Sequence, residues 1–181
     1  MVRLRVTQTK YLRKIEKMTV FDVMKKFKLL DWHTLLVGLQ QAWCKKKDLI
    51  SYGEKILEET ESHFVDDNLA IIASGENIAK DDLCRAVLNF LTKRGDFHSE
   101  NEKAKAVEKW RYAHLYSLLQ SNKTAQEKID ILQELYAQFG FPDDMEACSI
   151  YSRGEIDPLV ATASVVEKLS QKLLIEGVKL Y

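Results

Sequence analysis

Between Ser99 and Ser152 the chain reads SENEKAKAVEKWRYAHLYSLLQSNKTAQEKIDILQELYAQFGFPDDMEACSIYS, and this stretch limits the possible folds more than any other. It carries two helix-start signals, one stop signal and the longest apolar stripe in the sequence. Ser99 and Glu102 have the spacing of a capping box, in which a hydroxyl accepts from a backbone N–H three residues on and a carboxylate reaches back to the cap. A helix is therefore expected from about Glu100. At 100° per residue, Ala104, Val107, Trp110, Leu115 and Leu118 fall on one side, with Lys105, Glu108, Lys109 and Tyr116 at its edge or opposite. Ser121-Asn122-Lys123 breaks the pattern, and Thr124 with Glu127 repeats the capping box. A connection that short favours an antiparallel helix pair. In the second helix Ile129, Leu132, Tyr136 and Phe139 recur at helical spacing, Gly140 can take the left-handed conformation that ends a helix, and Phe141-Pro142 stops it.

The same wheel places Arg111 and His114 on the apolar side. A guanidinium away from water has to be paired. Either Arg111 reaches the rim along its aliphatic stem while His114 is a hydrogen-bonded core histidine, or the two line a polar pocket that receives an anionic group.

Composition extends the helical reading to the rest of the chain. Only two prolines and seven glycines occur in 181 residues, too few for many short strands joined by turns. Leu, Lys, Glu and Ala are abundant, and all four favour helices. The expectation is an all-α protein, a single-domain antiparallel bundle of about six to eight helices over residues 18–181, preceded by a basic leader, residues 1–17. That leader, MVRLRVTQTKYLRKIEK, alternates Val2, Leu4 and Val6 with Arg3 and Arg5. It reads as a disordered or non-native extension, a strand, or an arm for nucleic acid. No reading motif and no interleaved aromatics follow it, which makes nucleic acid an unlikely partner.

Along the chain, Thr19 caps a helix through Phe21, Val23, Met24, Phe27 and Leu30, and Asp31 caps the next. Trp32, Leu35, Leu36, Leu39, Ala42 and Trp43 then form one face, with His33 and Cys44 off it, and Lys45-Lys46-Lys47 closes the helix at the negative end of its dipole. Ser51 and Glu54 open a helix with Ile56 and Leu57. LAIIAS, residues 69–74, fits a short buried helix or a strand, and its helical neighbours favour the helix. Asn77 or Lys80 leads into a helix with Leu83, Cys84, Val87, Phe90 and Leu91 inside, ended by Gly95. After Pro142, MEACSIY forms one or two turns. Asp157-Pro158 starts a final helix, marked by Leu159, Val166 and Leu173, that runs to about Gly177.

Charge is balanced overall, with 27 basic and 27 acidic residues, but unevenly placed. Residues 1–47 hold twelve Lys/Arg against three Asp/Glu, and residues 48–181 hold fifteen against twenty-four. The most acidic stretch, EETESHFVDD, contributes Glu58, Glu59, Glu61, Asp66 and Asp67. It is either a solvated helix face or a surface that meets a basic partner. No histidine or third carboxylate stands at ligand spacing beside these acids, so neither a metal nor a cofactor is implied. Three cysteines with no CxxC read as reduced thiols in a cytosol. No apolar run is long enough to span a bilayer. Dinucleotide, phosphate-loop, zinc-protease and nucleophile-elbow motifs are missing, and no enzyme is expected.

The segments GLQQAW, KWRYAHLYSLL and LYAQFGFPDDMEACSIYS followed by DPL together resemble a bacterial family catalogued as a domain of unknown function, DUF2247. The resemblance covers Thr19 to about Leu174. It rests on the tryptophan spacing, the Phe-Pro-Asp-Asp-Met turn and the Asp-Pro helix start. The family has no established activity, so the resemblance carries over no catalytic residue. Small bacterial proteins of this kind are often immunity partners of toxins. Together these readings point to a cytoplasmic protein-interaction module whose partner is another protein, with a homodimer as a further option. The alternatives are nucleic-acid binding through the leader and a small-ligand pocket near Arg111 and His114.

Overall fold

In the computed structural model, the described residues are 18–60, 66–152, 156–175, 177–178 and 180. Among them every regular element is helical: α1 (Val20–Lys26), α2 (Trp32–Gln40), α3 (Lys46–Glu59), α4 (Asp67–Ala73), α5 (Lys80–Lys93), α6 (Glu100–Gln120), α7 (Ala125–Gln138) and α8 (Pro158–Lys172). Two 3₁₀ segments, Gly75–Asn77 and Asp143–Cys148, complete the set. The all-α expectation holds. The expected basic leader lies outside the described residues. The chain divides into two compact units, one of Leu30–Val107 and one of the described parts of Met1–Leu29 and Glu108–Tyr181.

The unit Leu30–Val107 is built on α2, which Asp31 starts by accepting the Thr34 backbone N–H at 2.7 Å. Every residue from His33 to Leu39 is buried. The helix ends at Gln40, and Ala42 adopts a left-handed backbone, φ 59°. Ala42 and Trp43 therefore do not continue the helical face expected of them. Instead the Trp43 and Cys44 N–H groups turn back to the Gly38 carbonyl, at 2.8 and 3.1 Å.

The triple lysine also changes role. It opens α3 rather than closing α2: the Lys45 N–H donates to Asp48 at 2.8 Å, a cap that displaces the expected start at Ser51. Lys46 reaches over to the carbonyls of Glu76 and Ile78. Local spacing could not choose between two capping carboxylates six residues apart, Asp48 and Glu54, and the tertiary contact of Lys46 favours the earlier one.

Gly53, in the middle of α3, allows a close approach to α4, since a Cβ there would meet Ile72 Cγ2 at 2.9 Å. Trp32 is held edge-on by Tyr52 at 4.8 Å and Phe90 at 5.3 Å, joining α2, α3 and α5. LAIIAS runs from Leu69 of α4 to its C-cap, Ser74, with Leu69 and Ile72 buried. The buried face of α5 is the expected Leu83, Cys84, Val87, Phe90 and Leu91, plus Ala86.

In the other unit, Thr19 and Asp22 cap α1 reciprocally, and Thr124 and Glu127 cap α7 in the same way. Phe27 packs edge-on against Tyr112 at 5.6 Å and Tyr116 at 5.1 Å, and Phe21 lies 6.5 Å from Trp110. The stripe expected on α6 holds at Trp110, Leu115 and Leu118, which are buried, but not at its N-terminal end or along its edge. Ala104 is exposed while Ala106 is buried, and Trp110, Arg111, Tyr112, Ala113, Leu115 and Tyr116 are all buried. A helix enclosed on most of its circumference does not keep one apolar face.

At the end of α7, Gly140 and Phe141 both take left-handed conformations, φ 76° and 57°. For phenylalanine that costs about 1–2 kcal/mol. The turns expected over MEACSIY are a 3₁₀ segment that begins earlier, at Asp143, and ends at Cys148, anchored by Met145 and Cys148, which are fully buried. In α8 the buried stripe is Ala161, Thr162, Val165, Val166, Leu169 and Ser170, not a heptad of Leu159, Val166 and Leu173, and the helix ends at Lys172 rather than near Gly177. The Leu174 backbone turns left-handed at φ 53°, which ends the helix early.

Candidate functional site

Arg111 projects from α6 with a side chain only 10% exposed, and Asp144 of the 3₁₀ segment meets it. Nη1 donates to Oδ1 at 3.0 Å and Nη2 to Oδ2 at 2.9 Å, a bidentate pair between residues 33 apart in sequence. The anion that a buried guanidinium demands is thus supplied by the chain itself. The Nε–H of Arg111 is buried and has no hydrogen-bond partner among the described residues. Asp144 remains 40% exposed, so the pair spans from the interior to the surface.

His114 lies one turn along the same helix, 6.3 Å from the Trp110 ring and 5.7 Å from Phe139, edge-on. Burial pushes its pKa down to about 4, because an imidazolium there would lose its hydration. His114 is a neutral ring among aromatics at physiological pH. The two residues singled out from sequence are therefore close together, but Arg111 already has its counter-ion and His114 is embedded in apolar rings.

The acidic stretch separates by role. Asp66 caps α4, accepting the Asn68 N–H at 2.7 Å, and pairs with Lys93 at 3.0 Å. Asp67 stands exposed in the first turn of α4, where the helix dipole favours negative charge. Glu58 and Glu59 stand exposed in the last turn of α3, which contains no basic residue. There the dipole opposes them, and among the described residues their ion pairing is limited to a loose contact of Glu59 with Lys55 at 3.7 Å. Glu61 lies outside the described residues.

Sequence reasoning missed a third polar assembly. His33, expected off the buried face, is buried and joined to two residues of the α5–α6 connection. Its Nε2 lies 3.1 Å from Asp96 Oδ1, and its Nδ1 lies 2.8 Å from Nδ1 of His98. The rings are within 7° of coplanar, with centroids 5.1 Å apart. That separation is the N···N distance plus one ring radius on each side, so the bond runs straight between the two nitrogens and leaves no room for an ion. Asp96 accepts from His33 Nε2–H, and the two Nδ1 atoms share one proton between them. His98 Nε2 is buried with no hydrogen-bond partner among the described residues. Burial first, then His33 and Lys103, hold the His98 pKa below its ordinary value. The partners are 63 and 65 residues away in sequence, beyond the reach of any local pattern.

All three cysteines are free and buried, and burial raises each thiol, Cys44 to about 12, so none is a poised nucleophile. Among the described residues no group of three or more His, Cys, Asp or Glu could hold a metal ion, and no helix is long and apolar enough to cross a membrane.

The profile of a family described as an uncharacterized protein conserved in bacteria, DUF2247, matches residues 21–176. The chain belongs to this family. The DUF2247 match runs from the first turn of α1 past the end of α8, and it contains Arg111, Asp144, the histidine pair and the acidic end of α3. No curated protein and no solved structure matches the chain.

Proposed function

We propose that this chain is a non-enzymatic interaction module that binds a basic partner protein through the carboxylates at the end of α3, and that it acts as an immunity protein against a toxin. The observation that carries the reading is the position of Glu58 and Glu59: exposed, at the negative end of a helix dipole, with no basic residue in that turn and only the loose contact of Glu59 with Lys55 beside them among the described residues. Each such charge opposes the helix by about 0.3–1 kcal/mol, so folding gives no reason for them. A cationic partner does. Complementary charge accelerates encounter and makes it sensitive to salt, which suits a protein that must intercept another quickly. Asp67 adds to the same charge from α4. Asp66, engaged by its cap and by Lys93, does not.

The test is co-purification of the full chain with the products of its flanking genes at low ionic strength, using the wild type and the double variant Glu58→Lys/Glu59→Lys. The expected result is a retained partner with excess Lys/Arg, bound at least tenfold more weakly by the double variant and released by salt. Retention of nothing at low ionic strength, or binding indifferent to the charge reversal, overturns the proposal.

A further inference from the structure

Exposed apolar side chains are concentrated in one part of the chain. Of the eight large hydrophobic residues exposed among the described residues, five lie between 141 and 160: Phe141, Ile150, Tyr151, Ile156 and Val160. Three of them can be placed side by side. The Phe141 ring packs edge-on against Tyr136 of α7 at 5.1 Å. One turn earlier on the same helix, Gln133 accepts the Ile150 N–H at 3.2 Å and donates to the Cys148 carbonyl at 3.1 Å. Residues three apart on a helix are surface neighbours, so Phe141 and the Ile150-Tyr151 pair lie along one ridge of α7. Phe141 is 61% exposed, Ile150 51% and Tyr151 87%.

This ridge is held from below. The Arg111–Asp144 pair fixes the first turn of the 3₁₀ segment, and Met145 and Cys148 fill the interior beneath it. Gln133 fixes the exit. Side chains that face water from so firmly held a backbone lose little further freedom on contact, which is the condition for a preformed recognition surface.

Charge decides what fits. Residues 129–167 contain eight Asp/Glu and one Lys/Arg, Arg153. Asp143, Glu146 and Glu134, beside the three apolar residues in sequence, are exposed. We infer that Phe141, Ile150 and Tyr151, with Asp143 and Glu146 at their margin, form a docking surface for a partner-protein segment that combines apolar side chains with Lys/Arg. The inference deepens the interaction reading above by naming a second surface, and it stands or falls separately.

The experiment introduces a photo-crosslinking phenylalanine analogue at Tyr151 in the full chain, expressed in a bacterium that encodes it, and identifies the linked peptide by mass spectrometry. The expected product is a protein other than this chain, linked through a peptide with apolar residues and an excess of Lys/Arg. Its yield falls at least fivefold with Asp143→Lys/Glu146→Lys, and at least fivefold with Phe141→Ser. A second copy of this chain as the product, a neutral or acidic linked peptide, a yield indifferent to both substitutions, or no product overturns the inference. The same analogue at Glu58 separates the two readings. A product there with none at Tyr151 removes this surface and leaves the α3 proposal standing, whereas a product at Tyr151 alone does the reverse.

Discussion

Two acidic regions of this chain use their charge differently. At the end of α3, Glu58 and Glu59 stand exposed at a helix end that repels them. In the 3₁₀ segment, Asp144 is the counter-ion of a buried guanidinium, and the backbone around it is pinned at both ends. Removing charge from the first region should relieve the fold. Removing it from the second should damage the fold.

The largest effect is expected at the clamp. Asp144→Ala leaves Arg111 buried and unpaired and should cost about 3–4 kcal/mol in urea denaturation. Arg111→Met removes the buried charge and leaves Asp144, which is already 40% exposed, free to hydrate, and should cost about 1 kcal/mol. A larger loss for Arg111→Met than for Asp144→Ala would break the contrast, because it would mean that the pair stabilises chiefly through packing of the arginine stem.

His114 packs against Phe139 near the same segment and gives a pH-dependent version of the test. Its ordinary pKa of 6.5 falls to about 4 in the folded chain. Between those values the unfolded chain binds more protons than the folded one, so stability drops as pH falls through that window and levels off below about 4. The full loss amounts to roughly 3 kcal/mol. His114→Phe should flatten that part of the stability-against-pH curve, and an unchanged slope would assign the acid sensitivity elsewhere.

The unit Leu30–Val107 has its own polar tie, between His33 and His98. His98→Ala strands the buried His33 Nδ1 and should cost about 1–2 kcal/mol. Hydrogen exchange should rise first in the α5–α6 connection. Smallest of all, and opposite in sign, Glu58→Lys should stabilise the free chain by about 0.3–1 kcal/mol, and Glu59→Lys, which also breaks the loose pair with Lys55, should gain less. A destabilisation there would show that these carboxylates serve the fold after all, and the case for a binding surface would lose its basis.

The candidate site was legible only in part. Arg111 and His114 stood out because two polar side chains fell on an apolar stripe. That the arginine's partner is Asp144 was not legible, since the pair of acids after Pro142 reads locally as ordinary helix-start charge. His33 was set aside because it fell off the stripe of α2. That judgement fails for a helix buried on nearly every side, where the stripe no longer says what is inside. The acidic run was visible as a run, but sequence could not tell Asp66, tied to Lys93, from Glu58, which is left in water.

Sequence alone determined the all-helical class, the caps at Thr19, Asp31, Ser99, Thr124 and Asp157, and the helix end at Gly140, because each depends on hydrogen bonds and backbone preferences within three or four residues. Tertiary structure decided that Lys45–Lys47 opens a helix rather than closing one, which sides of α6 are buried, and which acid answers Arg111. The lysine and arginine outcomes turn on groups 30 and 33 residues apart that meet only after the chain has folded back on itself, and at Arg111 the cost of an unpaired buried charge outweighs any local preference.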